Sequence, residues 1–549
     1  MFWVQKLENL IKGEVTTDDQ TLKHYSTDAS IFEVRPKAVI FPKDAEDVRN
    51  LVKFASENKK KYPELSLTPR SGGTDMTGGP LGESIVVEFD RYFNNIKNIG
   101  KDSAVVQPGV YYRDFEKETL KHGLIFPSYP ASKSICAIGG IVSNNAGGEK
   151  TLKYGKTNRY VRGLKVVLCD GNEYEFKRLN KIELQAKKAQ GDFEGSIYRK
   201  VYQIVEDNFD IIQKAKPLVS KNSAGYYLWD VWDREYFDLT QLFVGSQGTL
   251  GLITEAELSL VKKRKHSRLV VVFLDEFAKM TDFVHTALKY DPESLETFDD
   301  NTLKLALRFL PDVAKKIGTA NFFSLIFSFL GEGLAILKKL HLPKFIILVE
   351  LTGDDENEIS DRAKKLRDGL RPLGVYAKIA RPGMDTEKYW VMRRESFNLL
   401  RDKVKDKRAT PFIDDIIVDP EHLTEFLPKL YNILEEYGIT PTLAGHAGSG
   451  NFHIIPLMDL SRESERAKIP VVSKKVYGLV LEYGGSITAE HNDGLIRSPY
   501  LEQMYGAEIY GLFKKVKEIF DPKNIFNPGK KVGADLDYAM RHIKIHNSP

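Results

Sequence analysis

Short β-branched runs alternate with amphipathic stretches through the first 261 residues. KAVIFP (37–42), LSLTP (65–69), ESIVVEF (83–89), LKVVLCD (164–170) and LGLITEAELSLV (250–261) have the length and composition of strands. AEDVRNLVKFASENKK (45–60) instead repeats its apolar positions every three to four residues, and Asp44 stands where an N-cap belongs. The pattern predicts a mixed α+β domain to about Val261. A second α+β domain follows: RLVVVFLDEF (268–277) and FIILVELTGD (345–354) read as strands, and DDENEISDRAKKLRDGLRPL (354–373) as a solvated amphipathic helix. The basic run Lys262–His266 at the junction reads as a solvated linker rather than a nucleic-acid patch. The expected division is 1–261, 262–505 and a C-terminal segment 506–549.

Composition narrows the function classes. The 549 residues carry 80 Lys+Arg against 76 Asp+Glu, a net +4, which lacks the concentrated basic surface that nucleic acid demands. Two cysteines, Cys136 and Cys169, are too few for a disulfide framework or a four-thiolate iron–sulfur cluster, so an electron leaving this sequence needs another carrier. The opening MFWVQKLENLIKGEV lacks a basic region followed by an apolar run, and the expected compartment is the cytoplasm. The longest apolar stretch, Phe322 to Leu337, is broken by Ser, Gly and Glu and is shorter than a spanning helix of about 20 residues. It reads either as a buried helical hairpin or as a surface resting on the inner membrane face or docking an electron acceptor.

Three segments of the first domain are rich in glycine and small polar residues: PRSGGTDMTGG (69–79), PSYPASKSICAIGGIVSNNAGGEKTLKYGKT (127–157) and VGSQGTLGLITEAEL (244–258). Glycines let backbone N–H groups converge on an anion such as a pyrophosphate, although a plain turn reads equally from the first run alone. It has neither the Lys-Ser/Thr ending of a P-loop nor GxGxxG spacing. Three such segments in one domain call for a common ligand.

GHAGSGNFH places His446 and His453 seven residues apart. On a flat strand that odd spacing sends the imidazoles to opposite faces, whereas a bend at the glycines brings them together. Strand-like SITAE leads to Glu490 and His491. Two histidines and a glutamate suit a divalent ion with open positions, though histidines near glycines also serve as hydrogen-bonded loop residues.

In this order and spacing the segments resemble the FAD-binding domain of the vanillyl-alcohol oxidase superfamily, with its p-cresol methylhydroxylase-type fold followed by an α+β substrate-cap domain. YSTDAS...RPKAVIFPKDAEDVRNLVKFA and DPKNIFNPGK (521–530) extend the likeness to both ends, and GHxGxGNxH with EH is similar to the D-lactate, glycolate and D-2-hydroxyglutarate dehydrogenases. The resemblance implies that Arg70, Ser71, Gly72, Gly73, Thr74 and Asp75 wrap the FAD pyrophosphate. Pro130, Ala131, Ser132, Gly139, Gly140, Ser143, Asn144, Asn145, Ala146 and Gly147 would line the flavin, with Ile253 at the adenine end and Asn527 at the isoalloxazine. Thr74 stands where covalent relatives place a histidine, which implies non-covalent FAD. His446, His453 and Glu490 are the implied metal ligands, for zinc first, with manganese or iron as alternatives, and His491 the implied base. Arg393, in the W-x-x-R pattern, is the implied substrate arginine, Arg497 a second choice, and Asn451 a further substrate contact.

What the resemblance implies is an FAD-linked dehydrogenase that oxidises a small D-2-hydroxyacid to the 2-oxoacid and passes electrons to a separate iron–sulfur subunit, quinone or soluble carrier. Ile413, near the place of a lysine in relatives, favours D-lactate over D-2-hydroxyglutarate, and D-lactate is the first choice, then D-2-hydroxyglutarate or glycolate. The competing classes are an ether-lipid-synthase-like FAD transferase and a non-catalytic flavin-carrying subunit.

Overall fold

A computed structural model describes residues 2–308, 342–403 and 408–545. The apolar stretch 322–337 lies outside the described residues, and among the described residues no helix is long and apolar enough to cross a membrane.

The chain begins with a four-stranded sheet, β1 (Glu14–Thr16), β2 (Ala38–Phe41), β3 (Leu67–Arg70) and β4 (Ile85–Glu88), in the order β1-β2-β4-β3. Strands β2, β4 and β3 run parallel, and β1 is antiparallel to β2. Parallel strands need crossovers, and the helix α1 (Ala45–Asn58) supplies the one from β2 to β3. Its Asp44 cap accepts the Asp47 N–H, as the sequence predicts. Val48, Leu51, Val52 and Ala55 form its inward stripe and pack with Ile40 and Val87. The loop from β3 to β4 is the first glycine-rich segment.

A five-stranded antiparallel sheet follows: β5 (Ile96–Ile99), β6 (Ser103–Val106), β7 (Val161–Val167), β8 (Glu173–Lys177) and β9 (Leu252–Ser259), ordered β5-β6-β9-β7-β8. The second glycine-rich segment contributes α2 (Ile138–Asn144), which Asn145 ends in the left-handed conformation at φ 48°.

The third sheet is antiparallel. It contains β10 (His266–Leu274), β11 (Ser294–Asp299), β12 (Phe345–Gly353), β13 (Tyr376–Ile379), β14 (Arg408–Ala409), β15 (Ile416–Ile417), β16 (Pro441–His446) and β17 (Asn451–Met458). Its order is β13-β10-β12-β11-β16-β17-β14, with β15 also paired to β17. The predicted helix of 354–373 forms α3 (Glu356–Gly369), capped by Asp355. Lys262, Lys263, Arg264 and Lys265 are exposed at the junction.

SITAE departs from expectation. It makes a single bridge, Ser486 to Ile417, and then turns. The Ser486 hydroxyl accepts the Thr488 N–H and the Asp415 carboxylate accepts the Glu490 and His491 N–H groups, so side chains replace a strand partner. Helix α4 (Leu501–Phe520) crosses the expected division at residue 505, interrupted at Gly506, whose φ is 75°.

The C-terminal segment returns to the first sheet. Phe526 bridges Leu67 of β3 in parallel, and Asn527 Nδ2 donates to the carbonyls of Gly79 (2.9 Å) and Gln247 (2.7 Å). Asn527 is fully buried, so these bonds satisfy groups that no water reaches. We predict that Asn527→Ala lowers unfolding free energy by about 2–4 kcal/mol, the cost of two orphaned buried carbonyls. Chemical denaturation checks this, and an unchanged midpoint contradicts it.

Candidate active site

The glycine-rich segments meet through three side chains. Asp75 Oδ1 accepts the Thr77 and Gly79 N–H groups, closing the first loop on itself. Its Oδ2 accepts from Asn144 Nδ2 (2.8 Å) and Gln247 Nε2 (3.4 Å), one residue from each of the other segments. The loops so joined form one side of a cavity of about 790 Å³, and the third sheet forms the other.

The cavity wall includes all of Arg70 to Asp75, Pro130 to Ser132, Gly139, Gly140, Ser143, Asn144, Ala146, Gly147 and Ile253. Two expected cofactor contacts do not reach it. Asn145 caps α2 and accepts the Asn158 N–H, and Asn527 is the brace described above. The wall fits a nucleotide cofactor on two counts. A Cβ on Gly72 would lie 2.6 Å from the Ile135 carbonyl, and one on Gly139 2.6 Å from Pro108 Cβ, so the glycines let the loops of the wall pack closely and leave its backbone bare of side chains there. Asp28, also on the wall, has a buried Oδ2 without a protein partner, suited to a ligand hydroxyl. Burial and then the Asp75 charge push its carboxyl up to about 7.

Opposite the glycine loops, β16 and β17 form a hairpin whose tip is the GHAGSGNFH motif, turned at Gly450 with φ 70°. In the register Ala444 faces His453, and His446 lies two residues beyond Ala444, so both imidazoles project from one face. A Cβ on Gly450 would meet the Val418 carbonyl at 1.9 Å, so this turn admits only glycine.

His446 Nε2 lies 3.3 Å from His453 Nε2 and 3.4 Å from Glu490 Oε2. Those separations match the edge of a tetrahedron with metal–ligand bonds of about 2.0–2.1 Å. Asp415 and His491 also come within reach of His453 and Glu490. Asp415, however, spends Oδ2 on Thr488 and two backbone N–H groups and Oδ1 on Asn451, so it organises the loop. His446, His453 and Glu490, the expected ligand set, are brought together, His446 Nε2 lying between the facing atoms of the other two.

Buried acids and a lysine surround these side chains. Glu296 of β11 bridges His446 Nδ1 (2.6 Å) and Arg393 Nη2 (3.1 Å). Lys221 Nζ sits 2.6 Å from Glu490 Oε1, leaving Oε2 to face His446. Asp414 takes His453 Nδ1 (3.2 Å) on one oxygen and His491 Nδ1 (2.6 Å) on the other. Burial pulls the His491 imidazole down, but the Asp414 and Asp415 charges outweigh it and raise it to about 9. Burial lowers His453. Burial opposes ionisation of Glu490, yet the Lys221 charge and then His446 hold it well below the usual carboxylate range. Each direction comes from protein groups alone, and a bound cation would oppose the rise at His491 and deepen the fall at His453.

His491 and Arg393 line the cavity, but Arg497 and Asn451 do not. Arg497 is fully buried and donates to the carbonyls of Asn492 and Asp414, and Asn451 Nδ2 donates to Asp415 and the Ile416 carbonyl. Neither expected substrate contact therefore reaches the cavity wall, although Arg497 Nε and Asn451 Oδ1 are buried without a protein partner. Arg394 also reaches the wall, in a two-pronged pair with Glu149. Asp28, Glu296, Asp414 and Lys221 carry no role in the sequence reading. Asp28 lies in YSTDAS and Asp414 in PFIDD, both visible motifs, whereas nothing local marks Glu296 or Lys221.

Residues 36–177 match the FAD binding domain, and residues 263–531 match the C-terminal domain of FAD linked oxidases. The chain is 30% identical over 541 residues to the D-2-hydroxyglutarate dehydrogenase of Escherichia coli (strain K12), covering 96% of this chain and 51% of that one. The chain spans about half the length of the first curated relatives it matches. It is 28% identical over 537 residues to glycolate oxidase subunit GlcD of Bacillus subtilis (strain 168), covering 96% of both, and 28% identical over 540 residues to the D-lactate dehydrogenase of Archaeoglobus fulgidus, covering 97% and 99%. Among solved structures, p-cresol methylhydroxylase with substrate bound superposes with a TM-score of 0.66 at 16% identity, covering 97% of this chain and 96% of that one. The 4-ethylphenol oxidase from Gulosibacter chungangensis gives 0.68 at 16%, covering 96% of both. At that identity the likeness is one of fold, the p-cresol methylhydroxylase-type FAD-binding domain with its C-terminal domain.

Lys221→Met provides a test of the buried pairing. Removing the ammonium leaves Glu490 charged and uncompensated, and metal-stripped protein should lose about 3–5 kcal/mol of stability. Added zinc should restore more stability to this variant than to the parent chain. Equal thermal midpoints in the stripped proteins would contradict the pairing.

Proposed function

The chain belongs to the FAD linked oxidases, and on that premise we propose that it oxidises a small D-2-hydroxyacid to the 2-oxoacid as an FAD-dependent dehydrogenase. One observation carries the reading: the atoms of His446, His453 and Glu490 that suit a divalent ion, and His491 beside them, face the cavity that the glycine loops line. D-lactate is the first-choice substrate, then D-2-hydroxyglutarate or glycolate. Ile413, apolar near the place of a lysine in the family pattern, supports D-lactate over D-2-hydroxyglutarate.

Oxidising the substrate means removing the hydroxyl proton and the Cα hydride. When bound between His446, His453 and Glu490, a divalent ion (zinc first, then manganese or iron) supplies charge that acidifies a chelated hydroxyl. When bound non-covalently against Arg70–Asp75 and Ser143–Gly147, FAD supplies the hydride acceptor. The chain's own groups do the rest. His491 keeps Nδ1 bonded to Asp414, so its neutral form, which a bound cation would favour, takes the hydroxyl proton at Nε2. Arg393, held by Glu296, offers its guanidinium edge to the substrate carboxylate. The electrons would leave through a separate iron–sulfur subunit, quinone or soluble carrier. The histidine and glutamate set supports this reading over a transferase or a flavin carrier, neither of which needs a hydroxyacid chelate.

Anaerobic bleaching of the flavin by D-lactate, L-lactate, glycolate and D-2-hydroxyglutarate tests the proposal. D-lactate should bleach it fastest, and prior chelation should abolish the effect. His491→Ala should stay yellow and metal-loaded while losing about 10²–10⁴ of the reduction rate. A yellow protein that none of the four acids bleaches would overturn the reading.

A further inference from the structure

The acidic pair of PFIDD divides its work. Asp415, at φ 67°, turns its carboxylate to the backbone of the Glu490–His491 turn. Asp414 turns the other way and accepts from two imidazoles at once, Oδ1 from His453 Nδ1 at 3.2 Å and Oδ2 from His491 Nδ1 at 2.6 Å. The two rings stack on each other, centroids 4.9 Å apart and planes 18° from parallel. Arg497, fully buried, donates to the Asp414 carbonyl and so fixes the backbone from which the carboxylate projects.

A carboxylate can only accept. Each ring must therefore place its proton on Nδ1, which leaves Nε2 of each neutral imidazole bare. His453 Nε2 then faces His446 and Glu490, while His491 Nε2 serves the cavity. His446 gets its orientation separately, from Glu296. We propose that Asp414 is a positioning residue that sets the tautomer of a metal ligand and of the base together and fixes the distance between them. The roles given to the two rings rest on the proposed function, whereas the tautomer assignment rests on geometry alone.

Asp414→Asn is nearly isosteric but offers one acceptor and one donor, so only one ring can keep Nδ1–H against it. In metal-stripped, FAD-loaded, ¹⁵N-histidine-labelled protein at a pH where both rings are neutral, above about 9 for His491, both rings should show the Nδ1–H tautomer, assigned through His453→Gln and His491→Gln. Asp414→Asn should turn one ring to Nε2–H, weaken zinc affinity by about 10–100-fold in chelator competition, and slow flavin reduction. Asp414→Glu should keep both tautomers. Zinc affinity within threefold of the parent together with unchanged tautomers in Asp414→Asn would overturn the proposal. If that variant does not fold, the parent spectrum decides, since a neutral ring that carries its proton on Nε2 instead of Nδ1 refutes the bridge. Failure of every hydroxyacid to bleach the flavin would sink the activity reading, while the tautomers and zinc affinity still judge Asp414.

Discussion

Four carboxylates, Glu296, Asp414, Asp415 and Glu490, are buried within one neighbourhood, and the site depends on the requirement that each meet a partner there. An unpaired buried charge costs several kcal/mol, more than one hydrogen bond returns. Glu296 meets His446 and Arg393, Asp414 meets two imidazoles, Asp415 meets a turn of backbone, and Glu490 meets Lys221 and His446. These pairings fix where the histidines stand before any ion or substrate enters. The polar floor is thereby preorganised, with its directing oxygens behind the rings and its bare nitrogens in front.

The same pairings join parts of the chain that are far apart in sequence. Lys221 comes from the first domain and Glu490 from the second, and another buried lysine, Lys531, reaches back from the C-terminal segment to Asp493 and to the carbonyls of Ser223 and Gly225. Lys156 anchors the Ala489 carbonyl just before Glu490. Gly147 of the second glycine segment approaches Glu490 so closely that a Cβ would lie 2.8 Å from its Oε1. The wall suited to flavin and the cluster suited to a metal thus abut.

Much of this was legible in the sequence where the signal is local. The strands of KAVIFP and ESIVVEF, the Asp44 cap and the glycine turn between His446 and His453 each follow from composition and spacing within a dozen residues. SITAE read wrongly because its β-branched pattern is overridden by Ser486, Thr488 and Asp415. Arg497 and Asn451 read as substrate contacts because sequence distance to a motif says nothing about which way a side chain faces. Glu296 and Lys221 were invisible because their roles exist only across 150 and 269 residues of intervening chain.

The account rests most on the claim that His446, His453 and Glu490 share one divalent ion beside the flavin. Anomalous scattering from crystals of the FAD-loaded protein, recorded above and below the zinc edge, tests that claim directly. One peak within about 2.0–2.2 Å of His446 Nε2, His453 Nε2 and a Glu490 oxygen is the predicted result. A fully loaded crystal with no peak there, or with the ion held by Asp415 and His491 instead, would contradict it.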